Sequence, residues 1–288
     1  LVRRVFLAAL LATAFALPAR AEIVAAESVY ADIARQVAGP AVEVTAILEN
    51  PAGDPHQFEP NPSVARRVAG AAIVIENGIG YDGWMDRLLA VAARTGQTRI
   101  VVADLLHRRA GDNPHLWYDP AAMPALTRAL AATLMENNPS DRAAIAGRAA
   151  KTLASLAVLQ ARIDAVRQRV AGLPVAATEP VFGPMLVALG LADHHARFEL
   201  AVMNGTEPRA GDVASIEDDL RPHRIRALIT NAQATDTEAA RLARLAHAEH
   251  IPLVPVSETL PPGKTYQEWI LGEVTALEAA LSPVTTTQ

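Results

Sequence analysis

Cysteine is absent from the 288 residues, which excludes disulfides, thiolate nucleophiles, cysteine-type zinc sites, iron–sulfur clusters and a lipid-modified N-terminal cysteine. No segment offers an uninterrupted apolar run of about 18 residues, the length expected of a membrane-spanning helix. Positive charge is not in excess: 26 lysines and arginines face 31 acidic residues, for a net charge of −5. That balance gives no electrostatic reason to expect a nucleic-acid partner. The signatures H-E-x-x-H and G-x-S-x-G are missing as well, so two common hydrolase chemistries lack their motifs. What remains is a globular composition, 51% apolar with alanine supplying much of it. The length allows one large domain or two of ordinary size.

The chain opens Leu1-Val2-Arg3-Arg4, continues apolar from Val5 to Leu17 and reaches Pro18-Ala19-Arg20-Ala21. A basic start, a short apolar centre and an A-x-A end are the parts of a secretory signal. Residues 1–21 are therefore expected to be removed after Ala21, leaving a periplasmic protein with no direct membrane insertion.

Beyond that stretch, short β-branched runs alternate with helical patterns. Strands are expected at Glu22–Ala26, Val42–Leu48, Ala71–Asn77, Arg99–Asp104, Val175–Thr178, Ile225–Asn231 and Pro252–Ser257. The alternation predicts mostly parallel sheets flanked by helices. From Pro139 to Leu173 the rhythm stops, and alanine, leucine, arginine and glutamine dominate. Asn138 suits a cap, Pro139 a first helical turn, and Gly172 with Pro174 a stop. One long rigid helix over 139–173 is thus expected to join an α/β lobe at 22–138 to another at 174–288. A cleft then lies between the carboxyl ends of two parallel sheets, where such sheets bind ligands.

Which residues stand at those ends decides the chemistry. After the second strand comes Asp54-Pro55-His56, and after the fourth Asn113-Pro114-His115. Both histidines directly follow a proline, and a loop already restricted loses less entropy on binding an ion. The second half supplies Glu179 and Glu258 at the ends of strands. By spacing alone, each either caps a following helix or lines the cleft.

Taken together, Asp54-Pro55-His56-x-x-Glu59-Pro60, Ile75-x-Asn77-Gly78-x-Gly80-Tyr81-x-x-Trp84, Asn113-Pro114-His115-Leu116-Trp117 and Asn204-Gly205-Thr206-Glu207-Pro208 resemble the zinc/manganese-binding receptors of metal ABC importers. The resemblance runs over essentially all of the chain past residue 21. It implies a metal cleft between two lobes holding one divalent ion, Zn2+ or Mn2+, as transported ligand. It also implies an importer membrane permease as partner, a monomer, and no enzymatic activity. The family's first two ligands fall on His56 and His115. Its third, histidine in many zinc receptors and glutamate in manganese receptors, falls on Glu179. Its fourth, usually aspartate, falls nearest Glu258, one methylene longer. The histidine-rich loop of many zinc members is missing; His107 is the one other histidine between the first two ligands. Two imidazoles plus two carboxylates suit zinc and manganese alike.

Rival signals exist. Gly78-Ile79-Gly80-Tyr81-Asp82-Gly83 is a literal G-x-G-x-x-G after an expected strand, with Asp104 placed as a ribose-binding acid, so a dinucleotide-binding oxidoreductase is one alternative. An exported metal-dependent hydrolase is another; it needs an open coordination position, which four closing ligands would not leave. His194 and His195 are expected to begin a strand, pointing to opposite faces. His247 and His250 read as an exposed helix face, and His223 as part of a basic turn.

Overall fold

The computed structural model describes residues 22–50, 58–221, 224–233 and 236–282. The expected signal sequence and His56 lie outside the described residues.

The first sheet comprises β1 (Glu22–Glu27), β2 (Glu43–Leu48), β3 (Ile73–Glu76) and β4 (Thr98–Val101), in the order β2-β1-β3-β4. The second comprises β5 (Pro174–Ala177), β6 (Ala192–Asp193), β7 (Leu228–Asn231) and β8 (Leu253–Val256), in the order β6-β5-β7-β8. All pairings are parallel, and the two sheets repeat one topology. Central strands have no polar face because helices cover both sides. Ile23, Val24, Ala25 and Ala26 on β1 and Val74 and Ile75 on β3 are fully buried.

Helices α1 (Ser28–Ala38), α2 (Pro62–Gly70), α3 (Gly83–Ala92), α4 (Val102–Leu105) and α5 (Ala122–Asn137) accompany the first sheet. After α6 (Arg142–Val170) come α7 (Gly183–Leu189), α8 (Ala196–Met203), α9 (Ala210–Leu220), α10 (Thr237–Ala248) and α11 (Tyr266–Leu281). Local chemistry fixes several starts. The Asn61 side chain accepts the Ser63 and Val64 N–H groups ahead of Pro62, and Thr265 with Glu268 forms a capping box for α11.

The long helix is shorter than the segment 139–173. Pro139–Asp141 is a 3-10 turn, and α6 itself has 29 residues, about 43 Å of length. It stops at Val170 because Ala171 turns extended and Gly172 adopts φ +80°, its N–H bonding Gly190 O. Two further expectations are corrected. The Arg99–Asp104 strand ends at Val101, and Asp104 sits in the single turn of α4. His194 and His195 do not begin a strand, since β6 ends at Asp193, whose carboxylate takes the His195 N–H and turns the chain into α8.

The two halves are not independently packed. One apolar cluster runs from Ile23, Ile75 and Trp117 through Ile163 on α6 to Val175, Val254 and Ile270. Polar contacts reinforce it: the Tyr266 hydroxyl donates to Trp117 O at 2.7 Å, and the Tyr266 N–H donates to Asp32. Among the described residues no helix is long and apolar enough to cross a membrane.

Candidate metal centre

Both sheets point their carboxyl ends at the seam between the halves. His115 follows β4 and α4, starts the 3-10 turn Leu116–Tyr118 and is fully buried. Its orientation follows from Asn113. The Asn113 side-chain N–H donates to Pro180 O, and its Oδ1 accepts the His115 N–H. With the amide so fixed, the oxygen 2.9 Å from His115 Nδ1 can only accept, so Nδ1 carries a proton and the neutral ring has its lone pair on Nε2. A lone pair on Nε2 is what a metal takes.

Nε2 faces the opposite half, 3.4 Å from Glu258 Oε2. That is long for a hydrogen bond. It matches two ligands at ~2.0–2.1 Å from one ion on a tetrahedral angle, which stand about 3.4 Å apart.

Glu258 lies two residues beyond β8 and is 1% exposed. Its backbone N–H donates to Gln233 Oε1 at 2.6 Å. The preceding Ser257 is held from both halves: the single Tyr118 hydroxyl proton is shared between Ser257 O at 2.6 Å and Glu273 Oε2 at 2.7 Å, and Glu273 accepts the Ser257 N–H. Burial pushes the Glu273 carboxyl up to about 7, against hydrogen bonds from Tyr118, Trp269 and Ser257. Tyr81, from the loop after β3, donates its hydroxyl to Glu258 Oε2 at 2.9 Å, and its ring stacks edge-on against Trp117 and His115.

Glu179 lies two residues beyond β5 and is also buried. It stands at the cap position of the 3-10 turn Pro180–Phe182, yet its side chain makes no cap hydrogen bond. It turns instead to Asn231 at the end of β7, whose amide nitrogen donates to Glu179 Oε2 at 2.9 Å and to Glu258 Oε1 at 2.8 Å. β5 and β7 flank the point where the strand order reverses, the usual ligand position of such sheets.

Three of the four expected ligands therefore share one buried seam, and the fourth, His56, lies outside the described residues. Among the described residues no three histidine, aspartate or glutamate side chains form a metal cage by themselves. Of its motif neighbours, Asp54 is likewise undescribed and Glu59 is exposed. Composition and spacing missed Asn231 and Gln233. The signal that could have found Asn231 was its position at a strand's carboxyl end, the rule that singled out both glutamates.

The glycine motif is filled from within. Asp82 accepts the Asn77 and Gly78 N–H groups at 2.7 and 2.9 Å, so these loop donors already serve a carboxylate. Gly78 has φ +84°, and a Cβ there would lie 2.6 Å from Val101. The glycine answers this close turn, and the motif positions Tyr81.

The sequence fits the family described as "ZnuA: Zinc-uptake complex component A periplasmic" over residues 23–280. The chain belongs to this family. It is 24% identical over 257 residues to the high-affinity zinc uptake system protein ZnuA of Paracoccus denitrificans, covering 74% of this chain and 77% of that protein. Over 135 residues it is 24% identical to the manganese ABC transporter substrate-binding lipoprotein PsaA of Streptococcus anginosus. That similarity spans 43% of PsaA, under half its length, and 42% of this chain. The periplasmic zinc-binding protein TroA of Treponema pallidum shares the fold with a TM-score of 0.78 at 16% identity, over 92% of this chain and 100% of TroA. Within this ZnuA-type fold, two parallel sheets are bridged by α6.

The seam is tight where the halves meet at Asn113. A Cβ on Gly183 would stand 2.6 Å from Asn113 Nδ2, whose bonds to Pro180 and His115 leave it little room to move. Gly183→Ala is expected to turn Asn113 aside, release His115 Nδ1 and weaken zinc binding by about 10-fold, the lower end for outer-shell partners of a metal ligand. Calorimetric titration of wild type and variant checks this. Equal affinities would mean Asn113 does not orient the imidazole.

Proposed function

We propose that this chain is the metal-capturing receptor of an ABC-type importer. It takes up one zinc or manganese ion and delivers it to the importer's membrane permease. The observation that carries the reading is the 3.4 Å approach of His115 Nε2 to Glu258 Oε2 across the seam, with Asn231 tying Glu258 to Glu179. The ligands are His56 and His115 from the lobe 22–138 and Glu179 and Glu258 from the lobe 174–288, joined by 139–173. Two neutral imidazoles and two carboxylates give a site of charge −2, attractive to a dication and able to satisfy tetrahedral zinc. Four such ligands close the coordination shell, leaving no position for a nucleophilic water, so the protein binds its ion rather than using it for hydrolysis.

Capture draws ligands from both lobes together, and the apolar cluster running through them keeps the movement small. Release follows when the docked permease parts the lobes. After removal of residues 1–21 the receptor works in the periplasm as a monomer.

The test is calorimetry on chelator-stripped protein with zinc and with manganese. One ion per chain is expected, with binding lost when His56→Ala and His115→Ala are combined. Absence of binding by either metal, or binding indifferent to the double substitution, defeats the reading.

A further inference from the structure

The Asn231 amide nitrogen has two hydrogens, and each goes to a different carboxylate: 2.9 Å to Glu179 Oε2 and 2.8 Å to Glu258 Oε1. The amide cannot flip out of this role, because its Oδ1 accepts the Gln233 N–H at 3.0 Å. Asn231 is itself half-buried at the end of β7, between two carboxylates that are 94% and 99% buried, with relative exposures of 6% and 1%. A carboxylate chelates a metal only when both oxygens turn toward the ion. Here one oxygen of each glutamate is drawn to the same amide, and the other oxygen of Glu258 is the one facing His115 Nε2.

From this juxtaposition we infer that Asn231 is a specificity-determining positioning residue, which holds Glu179 and Glu258 to one metal bond each and so biases the site toward zinc over manganese. The inference rests on the receptor reading above. Two imidazoles and two single-bonded carboxylates supply four ligands, the tetrahedral number zinc accepts. Manganese is best served by octahedral, oxygen-rich sites, and chelation by both glutamates would raise the ligand number to six. The residue between the carboxylates thereby sets how many oxygens an ion meets. Tyr81 supports the same state from the other lobe, since its hydroxyl bonds Glu258 Oε2 and restrains the carboxylate from rotating.

The test compares wild type, Asn231→Ala and Asn231→Asp in the purified full chain, stripped with chelator. Asn231→Asp keeps an acceptor for the Gln233 N–H while replacing the bridging donor, so it serves even where the alanine variant folds poorly. Zinc and manganese affinities are read by calorimetry, and cobalt(II) serves as the spectroscopic probe. Four-coordinate cobalt absorbs strongly in the visible and six-coordinate cobalt weakly. Wild type should give strong bands; both variants should give weaker bands per bound cobalt, and the zinc-to-manganese affinity ratio should fall by about 10-fold. A purely structural role would weaken both metals alike and leave the bands unchanged, which overturns the inference. Weak bands already in wild type overturn it too. Failure of the wild type to bind any of the three metals is a different result, for it removes the receptor reading itself.

Discussion

His115→Ala should lower zinc affinity by about 100-fold or more, at or beyond the upper end seen when mere outer-shell partners of a ligand are removed. The imidazole is fully buried, its tautomer is set by Asn113, and its Nε2 faces Glu258 Oε2 across the seam. Alanine removes the proposed ligand and leaves a gap beside Trp117, whose ring centre lies 5.4 Å from that of the imidazole. Glu258→Gln should cost a comparable factor, because the amide keeps the shape but loses the charge that offsets a dication. His195→Ala supplies the control. That histidine is buried too, but it pairs with Asp219 at 3.2 Å beside α8, and its loss should leave metal affinity within about threefold, the scatter expected for single contacts remote from a site. Calorimetric titrations of the three variants decide the matter. Affinity indifferent to His115→Ala would remove the imidazole from the centre. Capture should also weaken in acid, because protons compete for the imidazoles and carboxylates.

The parallel sheets were legible in the sequence because their strands are short, β-branched and buried on both faces, as in Ile23–Ala26 and Ile73–Ile75. The expected strands failed mainly at their ends. Val102 and Ala103 continue the apolar run past β4, yet the chain turns helical there, with the Ala103 N–H bonding Asn77 O. β6 has two residues and gives almost no periodic signal.

Of the site, His115, Glu179 and Glu258 could be picked out because each follows a strand at the carboxyl edge. Whether the glutamates cap helices or face the seam was not decidable from spacing. The structure answers it through long-range bonds, from Asn231 to Glu179 across 52 residues of sequence and from Tyr81 to Glu258 across 177. Such bonds depend on two strands ending side by side, which no local pattern encodes. Asn113 was visible as part of a motif, but its work, fixing the tautomer of His115 while gripping Pro180 O, requires the halves to be in contact.

Glu27→Gln should stabilise the metal-free protein at neutral and alkaline pH, raising its melting temperature by about 3 °C or more, the scale of roughly one kcal/mol in a chain of this size. Glu27 ends β1 with 2% exposure, and among the described residues neither carboxylate oxygen receives a hydrogen bond from another residue. Burial raises its carboxyl well above the usual range; repulsion by Asp82 and Glu76 adds to this, and its own backbone N–H opposes it. The sign follows from linkage. With a folded-state pKa above the unfolded one, the native protein holds the proton more tightly. That contribution to stability is fully present below the unfolded carboxylate range and is lost as pH rises through the folded pKa. Glutamine stays neutral at every pH, and its amide can donate to Asp82, which already accepts the Asn77 and Gly78 N–H groups. The gain should therefore shrink toward zero as pH falls through the unfolded carboxylate range, below which Glu27 is protonated in both states, and grow as the solution becomes basic. Thermal unfolding from pH 4 to pH 9 in chelator checks it, and a melting-temperature difference that does not vary with pH would show that Glu27 is ionised in the folded protein much as it is in the unfolded chain.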